Sequence, residues 1–183
     1  MDSQKESDIM EKTIFTDRLH LRAFTLEDAQ QVKTLAGEEQ VARLTENIPH
    51  PYPDGLAEKW ISSHEDLREN DSAFVYAITL KSSGELLGAI GLNNASHTNA
   101  ELGYWLGLPY WGQGYCTEAG QALIQHAFGQ LPFNQIKART LTKNKKSEQV
   151  LFRLGFRSTS EILEKVKGEL DTIKYFVIDR TQP

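Results

Sequence analysis

The sequence predicts an α+β fold, and three observations carry that prediction. Helical apolar spacing fills the first third of the chain, and period-2 alternation takes over from about Phe74. Near the middle, a strand feeds a glycine-containing turn that opens a helix. The 183 residues include 39% hydrophobic positions, with no internal repeat, low-complexity segment or convincing boundary, as expected for one domain with a substantial core.

Residues 1–12 alternate charge with serine and are expected to form a flexible tail, leaving 13–183 as the domain. Order is expected to begin near Ile14. Leu19, Leu21 and Ala23 alternate with polar partners, as in a half-buried strand. Thr25 and Asp28 have capping-box spacing, opening a helix through Val32, Leu35 and Ala36. Three prolines between Pro49 and Pro53 dictate a loop, because proline lacks the amide that a helix or central strand needs. Asp54 is placed to cap the next helix, in which Leu56, Trp60, Ile61, His64 and Leu67 follow helical spacing.

Phe74, Tyr76 and Ile78 define a strand, and Ser82-Ser83-Gly84-Glu85 reads as a hairpin turn into a second strand, Leu86 to Leu92. Glu101 to Leu106 is the third. A helix follows the glycine turn, with Ala119, Leu123, Ala127 and Leu131 on one face and Pro132 as its stop. Ile136 to Leu141 forms a strand, 144–154 a short helix ended by Gly155, and two last strands run near 158–165 and 172–180 about a turn at Gly168.

Composition narrows the function. Twenty Lys and Arg against 25 Asp and Glu leave a net charge of -5, which gives no footprint for non-specific nucleic-acid binding. A single cysteine, Cys116, rules out an internal disulfide or a zinc site with two Cys ligands, and the five histidines lack metal-ligand spacing; no metal is expected. No apolar run approaches the ~20 residues of a membrane span, and the polar N-terminus lacks a secretory signal, so a soluble, cytoplasmic protein is expected.

The strongest local signal is Leu106-Gly-Leu-Pro-Tyr-Trp-Gly-Gln-Gly-Tyr-Cys-Thr-Glu-Ala119. Gly112 and Gly114 tolerate positive φ and close approach of a ligand, and the next amides point out of a helix N-terminus, which favours phosphate. Alone, the pattern also fits a structural turn; it is neither a Walker loop nor a three-glycine dinucleotide fingerprint. Its neighbours add specificity. Thr16-Asp-Arg-Leu-His-Leu-Arg22, Glu101-Leu-Gly-Tyr-Trp-Leu106, Tyr110 to Ala119 and Asn144-Lys-Lys-Ser-Glu-Gln-Val-Leu-Phe-Arg-Leu-Gly-Phe156 occur in that order. Together they resemble the GNAT superfamily of N-acetyltransferases, in particular its RimJ/RimL-type branch of ribosomal-protein N-terminal acetyltransferases, from about Thr16 to about Arg180.

The resemblance implies a mixed, mostly antiparallel sheet splayed at its centre, flanked by helices and holding acetyl-CoA in the opening. It implies that the backbone from Gly112 through Gln113, Gly114, Tyr115 and Cys116 to Thr117 cradles the pyrophosphate. Trp105, Leu106 and Leu108 would bond the pantetheine arm like an added strand, and a backbone N–H there would stabilise the developing oxyanion. Trp111 and Cys116 depart from the commonest superfamily residues, although the tryptophan is usual in the RimJ/RimL branch. Cys116 is expected to face the phosphates, where the helix end would favour its thiolate and bound phosphates would oppose it, and not to serve as an acetyl carrier.

Glu101 stands where some members carry a general base; the alternative is a strand-end carboxylate bound to an amide or lysine. Many members place a tyrosine acid where this chain has Leu151. Ser147, one turn earlier on the same face, matches the branch's serine and is the candidate to hydrogen-bond the CoA sulfur, unless it only bonds its own helix. Asn144 is a candidate pantetheine contact or a cap. Lys143, Lys145 and Lys146 either meet phosphates or remain solvated. Tyr52, Trp60, Tyr104 and Trp105 line an acceptor cleft or fill core, and the proline loop forms an acceptor wall.

The resemblance implies direct acetyl transfer to a primary amine, foremost a protein or peptide N-terminal α-amine. A small-molecule amine is the alternative acceptor, and a non-catalytic acyl-CoA sensor is the alternative of another class. A monomer or homodimer without nucleic-acid or membrane partners is expected.

Overall fold

The computed structural model describes residues 10–180. Eight strands form one sheet in the order β1-β2-β3-β4-β5-β6-β8-β7, comprising Thr13–Phe15, Leu19–Arg22, Phe74–Leu80, Leu86–Asn93, Asn99–Leu106, Gln135–Leu141, Arg157–Val166 and Glu169–Asp179 for β1 to β8 in chain order. All neighbours are antiparallel except β5 and β6. Among the described residues six α-helices accompany them: α1 Ala29–Ala36, α2 Glu39–Arg43, α3 Leu56–Ser62, α4 His64–Glu69, α5 Tyr115–Gln130 and α6 Lys145–Arg153.

Strand β4 lies mid-sheet and is buried from Leu86 to Leu92, because helices cover both faces. On one face, Leu123, Ala127 and Ala119 of α5 join Leu21, Ile90 and Leu102 in the main cluster. On the other, Val32 and Leu35 of α1 and Ile61 of α3 close over Ala77 and Leu86. Completely burying one such leucine stabilises the fold by about 1.5–3 kcal/mol.

The capping box forms as expected: Asp28 accepts from the Thr25 N–H at 2.9 Å while its own N–H reaches back to the Thr25 side chain. Arg22 adds a bidentate pair to Asp28, with both bonds at 2.8 Å. Burial alone would raise the Asp28 carboxyl pKa, but these bonds outweigh it and hold it below the usual range.

Several expectations need correction. Met10, assigned to the tail, is only 1% exposed and packs in the main core, and Tyr76 donates to the Glu11 carbonyl at 2.5 Å. The chain is therefore anchored before residue 13; residues 1–9 lie outside the described part. Asp54 caps nothing: its carboxylate pairs with Lys33, and Gly55, with φ +77°, precedes α3. The helix expected through Leu67 breaks at Ser63 into α3 and α4. The short elements β1 and α2 offer too few residues to show a period.

Candidate active site

The parallel ladder between β5 and β6 stops at Leu102 and Ala138, while β5 continues to Leu106 and β6 to Leu141. The strands fork. Beyond that point β5 has no strand neighbour on its β6 side, although Gly88 to Gly91 still pair with it on the other. A cleft of about 920 Å³ opens there, ample for an extended ligand.

The glycine loop borders one end. Gly112 and Gly114 have φ of +76° and +82°, and a Cβ on Gly112 would meet nothing within 4 Å. Gly114 precedes the 16-residue α5, whose first amides lack intrahelical acceptors. The Thr117 hydroxyl, in that first turn and on the cleft wall, is buried without a partner among the described residues. An open cradle, free amides and an orphaned hydroxyl fit a phosphate group.

Contacts around the loop hold it in place. The Trp111 indole donates to the Leu106 carbonyl at 2.8 Å, tying the loop to β5. Lys146 stacks over the same indole at 4.7 Å. Arg18 bonds the Gln113 carbonyl at 3.0 Å and Glu118 at 2.7 Å. Burial opposes ionisation of Glu118, but bonds from Thr16 and Arg18 keep its carboxyl pKa below the usual range, so it stays ionised with its charge balanced by Arg18.

Halfway along the cleft, the Tyr104 hydroxyl lies 2.8 Å from Ser147 Oγ. Asn144 Oδ1 accepts the Ser147 N–H at 3.1 Å, and its Nδ2 donates to the Leu44 carbonyl at 3.0 Å. Asn144 thus caps α6 and ties it to the segment after α2. Leu151 is buried.

At the base of the fork, five elements bring together a charge cluster. Arg139, the first β6 residue past the ladder, reaches Glu46 at 3.0 Å, Glu101 at 3.5 Å and Glu164 at 3.8 Å. The Tyr175 hydroxyl donates to Glu164. Three carboxylates surround one guanidinium. Burial raises the Glu46 carboxyl pKa; Arg139 opposes that shift and the two neighbouring acids add to it.

Of the predicted site residues, Glu101, Trp105, Leu106, Asn144 and Ser147 line the cleft, as do Gly112, Gly114, Tyr115, Cys116 and Thr117. Leu108 is not at a strand end: it begins a 3-10 turn, Leu108–Tyr110, outside the cleft lining. Gln113 is exposed, and its side chain donates to the Pro109 carbonyl. Lys143 pairs with Asp171 and Lys145 with Glu148. Tyr52, Trp60, Tyr104 and Trp105 all reach the cleft, together with Ile48 and Pro49 of the proline loop.

Cys116 departs most from expectation. It packs against the core beside Tyr104, close enough that a thiolate there would raise the phenol pKa. Burial pushes the thiol up to about 12, overriding the helix end. Alkylation by iodoacetamide should therefore be slow at neutral pH and still accelerate beyond roughly pH 9, because thiolate appears only as pH approaches the raised value. Leveling of the rate below that pH would contradict a buried thiol.

Glu46, Arg139, Glu164 and Tyr175 were not among the candidates. Arg139 carried a signal, a charge within a strand between buried Ala138 and buried Thr140. Glu46 carried none, since its proximity to Glu101 arises only when the loop folds back over the fork.

Comparison with known proteins decides the family. Residues 18–157 match the acetyltransferase (GNAT) domain model. The chain belongs to the GNAT acetyltransferases. It is 34% identical over 170 residues to the uncharacterised N-acetyltransferase p20 of Bacillus licheniformis, covering 90% of this chain and 94% of that one. It is also 34% identical over 110 residues to the ribosomal-protein-serine acetyltransferase of Escherichia coli (strain K12), covering 54% and 60% respectively. A solved structure of RimL, a ribosomal L7/L12 α-N-protein acetyltransferase in complex with coenzyme A, superposes with a TM-score of 0.83 at 19% identity, covering 91% of this chain and 97% of that one. That last likeness concerns the fold. The sequence relatives bear out the RimJ/RimL-type resemblance, and this GNAT chain is an N-acetyltransferase.

Proposed function

We propose that this acetyltransferase moves an acetyl group from acetyl-CoA directly to a primary amine, and that the acceptor is a protein or peptide N-terminal α-amine of the ribosomal-protein kind. The observation that carries this reading is the shared cleft, with a glycine loop and helix N-terminus at one side and a carboxylate-rich fork at the other.

Acetyl-CoA supplies an activated acyl group. The amides from Gly112 to Thr117 and the Thr117 hydroxyl hold its phosphates, while the open edge of β5 at Trp105 and Leu106 bonds the extended arm. Asn144 fixes the start of α6 and thereby Ser147, which faces the arm's sulfur. At the fork, excess negative charge attracts an ammonium, and Glu101 takes its proton. An α-amine of pKa ~7.7–8.0 is already about a tenth neutral at pH 7, whereas a lysine amine near ~10.4 is neutral only about once in 2,500 molecules. An α-amine therefore asks less of the Glu101 carboxylate than a lysine amine would. The neutral Cys116 thiol is a poor nucleophile, which favours direct transfer over an acetyl-cysteine route.

Acetyl-CoA at a hundred times its Kd should stabilise the protein by about 2.7 kcal/mol, roughly 5–11 °C in Tm for a domain of this size. A thermal melt that does not move at millimolar acetyl-CoA would contradict the reading.

A further inference from the structure

The buried Leu151 stands where many superfamily members carry an acid, and Tyr104 reaches the same helix from β5. Its hydroxyl has two acceptors in reach on Ser147, Oγ at 2.8 Å and the main-chain carbonyl at 3.2 Å. A phenol has one hydrogen to give. Donated to the carbonyl, it leaves the serine hydrogen drawn back to the phenol oxygen. Donated to Oγ, it frees the serine hydrogen to turn into the cleft, which both side chains line. The second arrangement has the shorter contact. The Ser147 carbonyl, moreover, is the helix-ladder acceptor for the amide four residues on, within α6.

We propose that Tyr104 is a positioning residue: its O–H donates to Ser147 Oγ and so aims the serine O–H at the sulfur of the CoA thioester. The inference rests on the reading of the cleft as the acetyl-CoA site. When the C–S bond breaks, its electron pair goes to sulfur, and a preset O–H donor stabilises the charge collecting there. Tyr104 loses no proton in this role. Burial first, then the nearby Cys116, hold its phenol pKa well above the ordinary range, partly countered by the Ser147 bond, so it stays a donor at every working pH.

The test reads the thiol of bound CoA by its ultraviolet thiolate absorbance during a pH titration, without turnover. In Tyr104→Phe, the bound thiol should titrate about one unit higher than in wild type, a tenfold loss of thiolate stabilisation. Ser147→Ala should shift it at least as far, and the double variant should match Ser147→Ala within about twofold, because Tyr104 acts only through Ser147. The acetyl-CoA Kd should stay within about twofold in Tyr104→Phe, confirming an intact cleft, while kcat falls about tenfold. An identical titration in wild type and Tyr104→Phe would overturn the proposal, as would independent, additive shifts in the double variant. Failure of wild type to bind CoA would sink the cofactor reading and this inference together; normal binding with an unmoved titration sinks this inference alone.

Discussion

Glu101→Gln is expected to lower kcat by about 10²-fold while leaving the KM for acetyl-CoA nearly unchanged. Glutamine keeps the shape of the side chain at the fork but cannot receive the amine proton. Its location separates the two effects: Glu101 lies in the β5–β6 ladder, paired with Lys137, whereas the phosphate cradle sits beyond the far end of β5. The charge around it sharpens the prediction. Glu46 and Glu164 share the same guanidinium, so removing Glu101 still leaves two acids to attract the ammonium. Acceptor binding should therefore weaken less than turnover. Steady-state kinetics with a peptide acceptor across pH check this, and wild-type-like rates throughout would remove Glu101 from the proton's path.

Gly88→Ala should cost about 3 kcal/mol of stability, roughly 6–12 °C in Tm at this chain length. The added Cβ would come within 2.1 Å of the Trp105 carbonyl oxygen and 2.8 Å of Leu106 Cα. These are backbone atoms of the adjoining strand and cannot step aside as a flexible side chain would. Gly88 pairs directly with Leu106, so the strain falls on the strand whose opposite edge is proposed to hold the pantetheine arm. A melt that moves by less than about 1 °C would show that β5 yields freely, contrary to the close packing of β4 and β5.

These two predictions differ in how much of their basis the sequence disclosed. Glu101 was legible because it stands on a strand leading into a recognisable glycine loop, and local pattern suffices to read strand, loop and helix in order. The capping box at Thr25 and Asp28 was equally local. Gly88 was not legible: a glycine inside an apolar run signals close approach somewhere, but not against which atoms. The fork cluster depends on five separate elements, and no spacing rule relates Glu46 to Arg139. Tyr104 lay between these cases. It shares a strand face with buried Leu102 and Leu106, and a phenol on a buried face must find a partner for its hydroxyl; the partner, 43 residues later, emerged only from the fold. Asp54 shows the reverse failure. A residue type suited to capping was drawn instead to Lys33, because a surface carboxylate takes whichever cation the fold brings near.

The central claim is that one cleft binds acetyl-CoA and delivers its acetyl group to an α-amine. The measurement that bears on it most directly incubates the protein with acetyl-CoA and a panel of peptides and small amines, following release of CoA thiol and the mass of each acceptor. Free peptide N-termini should gain one acetyl group with matching thiol release, their Nα-blocked counterparts should gain none, and Glu101→Gln should slow the reaction. Tight acetyl-CoA binding with no thiol released for any amine would contradict the account and make the protein an acyl-CoA sensor.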